Sequence, residues 1–190
     1  MLLIVRHGQT LANRDGLLLG RADPPLSDLG REQAQRLAST LPTPDLVVTS
    51  PLGRAVETAR AFGVPVTIDP RWIELDYGEF DGLHPGVVPA DTWNAWRADP
   101  AFTPPGGESL VELADRVTEA CTELWPRAQD ATVVVVTHVS PIKAALAWAM
   151  DAPVGIAWRT FVEEASVSRI DSRDGLPVVR WFNRGVTPGG

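Results

Sequence analysis

Six consecutive residues, Thr132-Val-Val-Val-Val-Thr137, are all β-branched, and four of them are apolar. Branching at Cβ stiffens χ1 and favours the extended chain over a helix. A strand apolar on both faces has no side fit for water, and such strands belong to parallel sheets covered by helices on each face. A second run of this kind, Leu2-Leu-Ile-Val5, opens the chain. Two such strands in 190 residues predict a single domain, 1–190, with a sizeable core.

The rest of the chain alternates accordingly. Ser27 is placed to cap a helix to about Leu41, with Leu29, Gln33, Leu37 and Leu41 on one stripe. Asp45–Thr49 reads as a strand, and Pro51 suits the first turn of a helix reaching about Phe62. Val66–Ile68 is a third short strand. Ser109 and Glu112 have capping-box spacing and open a helix to about Trp125. Pro141 starts another helix to about Met150, and late strands follow near Ala165–Ile170 and Val178–Phe182. The expected fold is three-layer α/β/α, with a mainly parallel sheet of about six strands, one of them antiparallel near an edge. The Pro- and Gly-punctuated stretch 83–107 reads as a lid-like insertion in that one domain.

Composition narrows the partners. A net charge of −7 and a pI near 4.9 argue against a nucleic acid or an anionic membrane surface. No apolar stretch is long enough to span a bilayer, and Met1 lacks the basic flank of a signal peptide. A single cysteine, Cys121, allows no internal disulfide and fits a reducing cytoplasm. A homodimer stays open. No His, Cys and carboxylate cluster has metal-ligand spacing, so neither metal nor cofactor is expected.

The chemistry concentrates at strand ends. In open α/β sheets ligands bind beyond the carboxyl ends of the strands. Arg6-His7 and Thr137-His138 occupy those ends of the two most apolar runs, and Ser50-Pro-Leu-Gly-Arg54 follows a third strand. Each histidine alone could merely bond a backbone carbonyl. Arg54, in the first turn of its helix, opposes the helix dipole and needs compensation. Glu57 could supply it as a surface ion pair; a bound anion shared with Arg6 is the sharper reading. Two guanidinium forks, two imidazoles and nearby helix N-termini suit a phosphoryl dianion. An imidazole kept unprotonated there can attack phosphorus.

The stretch Ile4-Val-Arg-His-Gly-Gln-Thr-Leu-Ala-Asn13 resembles the signature of the histidine phosphatase (phosphoglycerate mutase-like) superfamily. The resemblance continues through Asp23–Ala34, Ser50–Ala59, Glu74–Gly82 and Pro105–Ser109. It implies that His7 becomes a transient phosphohistidine, that Arg6, Arg54 and His138 hold the phosphoryl oxygens, and that Glu74 serves as acid and base. It also implies that Gln9, Asn13 and Gly20 line the substrate pocket. Where many relatives have His-Gly-Gly, this chain has His138-Val-Ser-Pro-Ile-Lys143, and the Val139 amide is left to face the phosphate. Trp72 replaces the usual Leu. That form is most similar to the α-ribazole phosphatase-like and broad acid phosphatase branch. The implied activity is metal-independent hydrolysis of small phosphorylated metabolites. A cofactor-dependent phosphoglycerate mutase is a rival, and a non-catalytic phosphate- or phosphoprotein-binding module is another.

Other features have plainer readings. His84 sits in a Pro-Gly turn and Cys121 in mid-helix, where burial is expected. Glu108-Ser109 is attributed to the capping box. Trp93 and Trp96 either pack the lid onto the domain or wall the organic part of a substrate.

Overall fold

The computed structural model describes residues 1–185, and the last five residues of the expected 1–190 domain lie outside them. The six strands are β1 (Leu2–Arg6), β2 (Leu46–Thr49), β3 (Val66–Ile68), β4 (Val133–Thr137), β5 (Ser166–Arg173) and β6 (Leu176–Gly185). The helices are α1 (Leu11–Arg14), α2 (Asp28–Thr40), α3 (Gly53–Arg60), α4 (Ala90–Ala98), α5 (Leu110–Asp130) and α6 (Val139–Ala149). One sheet runs β3-β2-β4-β1-β5-β6. β1, β2, β3 and β4 pair in parallel, and β5 is antiparallel to both β1 and β6. The single antiparallel strand lies one place in from the edge, as expected.

Side chains of a strand alternate between its faces, so each apolar run supplies two cores. Leu2 and Ile4 of β1 join Val133 and Val135 of β4 beneath α5 and α6. Leu3, Val5, Val134 and Val136 face the other way, onto Leu37 of α2 and Ala55 and Ala59 of α3. That is the three-layer arrangement.

Several boundaries differ from expectation. α2 buries Gly30, Ala34 and Leu37, while Leu29 is 45% exposed, so its inner stripe is rotated from the one read off the leucines. α5 continues through Pro126 to Asp130 because Trp125 and Ala128 of its last turns are packed into the core. Tertiary burial there outweighs the hydrogen bond that proline cannot make. α6 begins two residues before Pro141, with His138 as its N-cap. β5 and β6 are longer than expected, since Asp174 and Gly175 both take positive φ and let pairing run up to the hairpin. α1 was not expected; Thr10 and Asn13 close its capping box.

Candidate active site

The register Arg6↔Thr137 ends β1 and β4 side by side, and His7 N–H donates to the Thr137 carbonyl at 3.0 Å. His7 and His138 are therefore the next residue out on adjacent strands, with ring centroids 5.0 Å apart. Gly8 follows because the backbone of α2 lies against it: a Cβ there would meet the Gly30 carbonyl oxygen at 2.3 Å.

Hydrogen-bond chemistry assigns the His7 tautomer. Its Nδ1 lies 2.7 Å from the Gly8 carbonyl oxygen, which can only accept, so Nδ1 carries the proton. Nε2 then holds the lone pair, and Arg54 Nε–H donates to it at 3.3 Å. His138 Nε2 lies 2.7 Å from Ser50 Oγ, at the end of β2. Its Nδ1 is buried without a partner among the described residues.

The arginines are buried too. Arg6 donates to the Val162 carbonyl at 2.7 Å and stands 3.6 Å from Glu164, while its Nε has no partner among the described residues. Arg54, 1% exposed, donates to the carbonyls of Gly20 (2.8 Å) and Ala22 (2.7 Å) and pairs with Asp23 at 3.4 Å. Glu57 does not compensate it; Glu57 pairs with Arg31 on the surface.

Glu74 reaches the same place from the irregular chain that follows the 3-10 turn Pro70–Trp72. Trp72, fully buried, accepts the Thr137 hydroxyl on its carbonyl, which draws residues 72–75 to the end of β4. The Glu74 carboxylate then takes N–H groups from Leu75 (2.7 Å), Val139 (3.0 Å) and Ser140 (3.1 Å). The Val139 amide is thus committed to Glu74 rather than left open for an anion.

Gln9, Asn13 and Gly20 are near but engaged. Gln9 Oε1 accepts from Ser27 Oγ, and Asn13 Oδ1 accepts in the α1 capping box. Gly20 donates to Asp81 at 2.7 Å and accepts from Arg54, so it positions the guanidinium. Asp81 also takes the Ala22 N–H, holding the loop that carries both carbonyls. Asp23 and Asp81 had no role in the sequence reading, although both lie within the motifs Asp23–Ala34 and Glu74–Gly82.

Glu108 departs from its expected role. The capping box of α5 belongs to Ser109 and Glu112, whereas Glu108 chelates Arg116 through two bonds and accepts from Arg21. Arg116 in turn donates to the carbonyls of Arg71 and Glu74. His84 is an exposed turn residue, as expected, and Cys121 is buried.

Burial first, then Arg54 and Arg6, hold the His7 imidazole well below its ordinary value; the Gly8 carbonyl pulls weakly the other way. Burial, then His7 and the arginines, do the same to His138. Both rings are neutral in the folded protein. An unfolded chain takes protons on both near pH 6.5, so below that pH it binds more protons than the folded one. Stability therefore falls as pH drops through 6.5 and keeps falling towards the lowered folded values. The melting temperature in an anion-poor buffer should decline from pH 7 to 5, and His138→Asn should flatten that decline. Parallel curves for the two proteins would refute this linkage.

Beside Glu74 lies a pocket of ≈170 Å³ lined by Tyr77, Trp93, Trp96, Val139, Lys143 and Trp158, among others. Trp93 and Trp96 stack at 5.6 Å, and Trp158 meets both edge-on. Trp96 is 1% exposed, so these tryptophans both pack α4 onto the domain and wall the pocket.

Two histidines, two arginines and a glutamate thus converge at the ends of β1, β2 and β4. Residues 2–185 match the histidine phosphatase superfamily (branch 1), and the chain belongs to it. It is 37% identical to the glucosyl-3-phosphoglycerate phosphatase of Mycolicibacterium vanbaalenii, covering 95% of this chain and 91% of that one. Among solved structures it resembles the mycobacterial glucosyl-3-phosphoglycerate phosphatase in complex with VO3, at 32% identity, TM-score 0.84 and coverage of 96% and 98%. It also resembles the α-ribazole phosphatase of Shigella flexneri, at 31% identity, TM-score 0.83 and 96% coverage of each chain. A bifunctional protein of Mycobacterium tuberculosis is 35% identical across 96% of this chain, which spans about half of that relative, 53% of its length.

Proposed function

We propose that this chain hydrolyses small phosphomonoesters through a phosphohistidine on His7, without a metal ion. The observation that carries this reading is the His7 tautomer, with Nδ1–H tied to the Gly8 carbonyl and the Nε2 lone pair turned towards Arg54. The phosphoryl group replaces Arg54 as the partner of Nε2. A P–N bond forms as the P–O bond breaks, and the departing oxygen takes a proton from Glu74. Water then attacks the phosphohistidine and gives a proton back to Glu74, which releases phosphate and restores His7. Arg6, Arg54 and His138 stabilise the charge on the equatorial oxygens, the work a metal would otherwise do.

The relatives above that are named as phosphatases act on α-ribazole phosphate and glucosyl-3-phosphoglycerate, which supports a substrate for this chain in the same broad class of phosphorylated metabolites. Residues 83–107, which carry α4, serve as the lid over the leaving group, and the cytoplasm is the location proposed. Turnover of p-nitrophenyl phosphate should survive EDTA and be blocked by vanadate, which adopts the five-coordinate geometry of the transition state. Loss of activity in EDTA with recovery on adding a divalent cation would reject the mechanism.

Arg54 supplies a separate check. Arg54→Ala should cost about 10²–10³ in kcat, as for loss of a preorganised transition-state donor. It also removes one cause of the lowered His7 pKa, so the His7 titration followed by ¹⁵N NMR should move up towards 6.5. An arginine serving only to hold the Gly20 and Ala22 carbonyls would lower stability and leave kcat per folded molecule intact.

A further inference from the structure

Lys143 is the only lysine in the chain, and it sits one turn into α6 from Val139. Its Nζ donates to the Ala157 carbonyl at 2.8 Å, and among the described residues it forms no ion pair. An ammonium has three donors, so two are left unclaimed by the described residues. The surrounding wall is largely apolar, built from Leu75, Leu110 and the three tryptophans. A cation without a direct ion-pair partner in such surroundings is costly, and a site that keeps one gains when an anion arrives.

The pocket adjoins the phosphoryl site. Val139 and Ser140 line it and also hold the Glu74 carboxylate through their amides. Burial and Arg6 push the Lys143 ammonium down while Glu74 pulls it up, which places all three charges within electrostatic reach. An ester oxygen beside Glu74 therefore directs its organic part towards Lys143. At ≈170 Å³ the space is below the range of about 300–1,000 Å³ usual for ligand pockets and suits a small group. One ammonium matches one carboxylate; a second phosphate dianion would call for paired guanidinium forks like those of Arg6 and Arg54.

We propose that Lys143 determines specificity, selecting phosphomonoesters whose leaving group carries a carboxylate a few bonds from the ester oxygen. This rests on the phosphatase reading above. The test compares 3-phosphoglycerate with glycerol 3-phosphate, which differ in a carboxylate against a hydroxymethyl group. Wild type should favour 3-phosphoglycerate by at least tenfold in kcat/KM. Lys143→Met should erase that preference, and Lys143→Arg, which keeps the charge, should retain it. Because each ratio is taken within one protein, partial unfolding of a variant cancels. Wild type that hydrolyses p-nitrophenyl phosphate yet treats the two esters alike overturns the carboxylate assignment alone. A preference that survives in Lys143→Met also overturns it. Wild type inert towards all three esters overturns the phosphatase reading and this one together.

Discussion

On the proposed mechanism His7→Ala should lose essentially all turnover, at least about 10⁴-fold in kcat, because the Nε2 lone pair that takes the phosphoryl group is gone. His7 is 2% exposed and its bond to the Gly8 carbonyl is lost in the variant. That costs about 1–3 kcal/mol of stability, so the protein should still fold, with unchanged far-UV circular dichroism. Wild type quenched during turnover of ³²P-labelled substrate should retain protein-bound label that is acid-labile and alkali-stable, as a phosphoramidate is. The variant should retain none. Turnover by folded His7→Ala would remove the covalent mechanism, whatever else the site does.

Glu74→Gln should slow sugar phosphates by about 10²–10⁴, the usual worth of a positioned general acid. The same change should cost p-nitrophenyl phosphate far less, since p-nitrophenolate departs without being protonated. The ratio of the two effects is the useful quantity. Both oxygens of Glu74 accept backbone N–H groups, and a glutamine must set its NH₂ against one of those donors. The variant is therefore less stable as well as slower, and a loss of folded protein would depress both substrates equally. Equal damage to the two per folded molecule would refute the acid assignment for Glu74. Arg116, which donates to the Glu74 carbonyl and is chelated by Glu108, positions this residue from behind.

Much of the site was legible because its members stand at strand ends. An apolar run that stops at Arg6-His7, and another that stops at His138, mark places where a parallel sheet opens to ligand. The fate of Arg54 was half legible. Its position in a first helical turn demanded an anion, but only the folded loop shows that Asp23 meets it while Glu57 turns to Arg31. Gly20 read as a pocket residue and proves to lend its backbone to Arg54 and Asp81. Glu108 read as part of a cap and proves to chelate Arg116. These partners lie 8 to 61 residues apart in the chain, and no local pattern encodes them.

The β-branched and apolar runs by themselves determined the sheet, its two covered faces and the strand ends at which chemistry gathers. They could do so because side-chain alternation and backbone pairing are properties of a few consecutive residues. Tertiary structure alone decided which nitrogen of His7 carries the proton, that Glu74 takes the Val139 amide, and that Lys143 donates to the Ala157 carbonyl and forms no ion pair among the described residues. Those outcomes depend on where distant carbonyls, amides and carboxylates come to point, and only the packed loops set that direction.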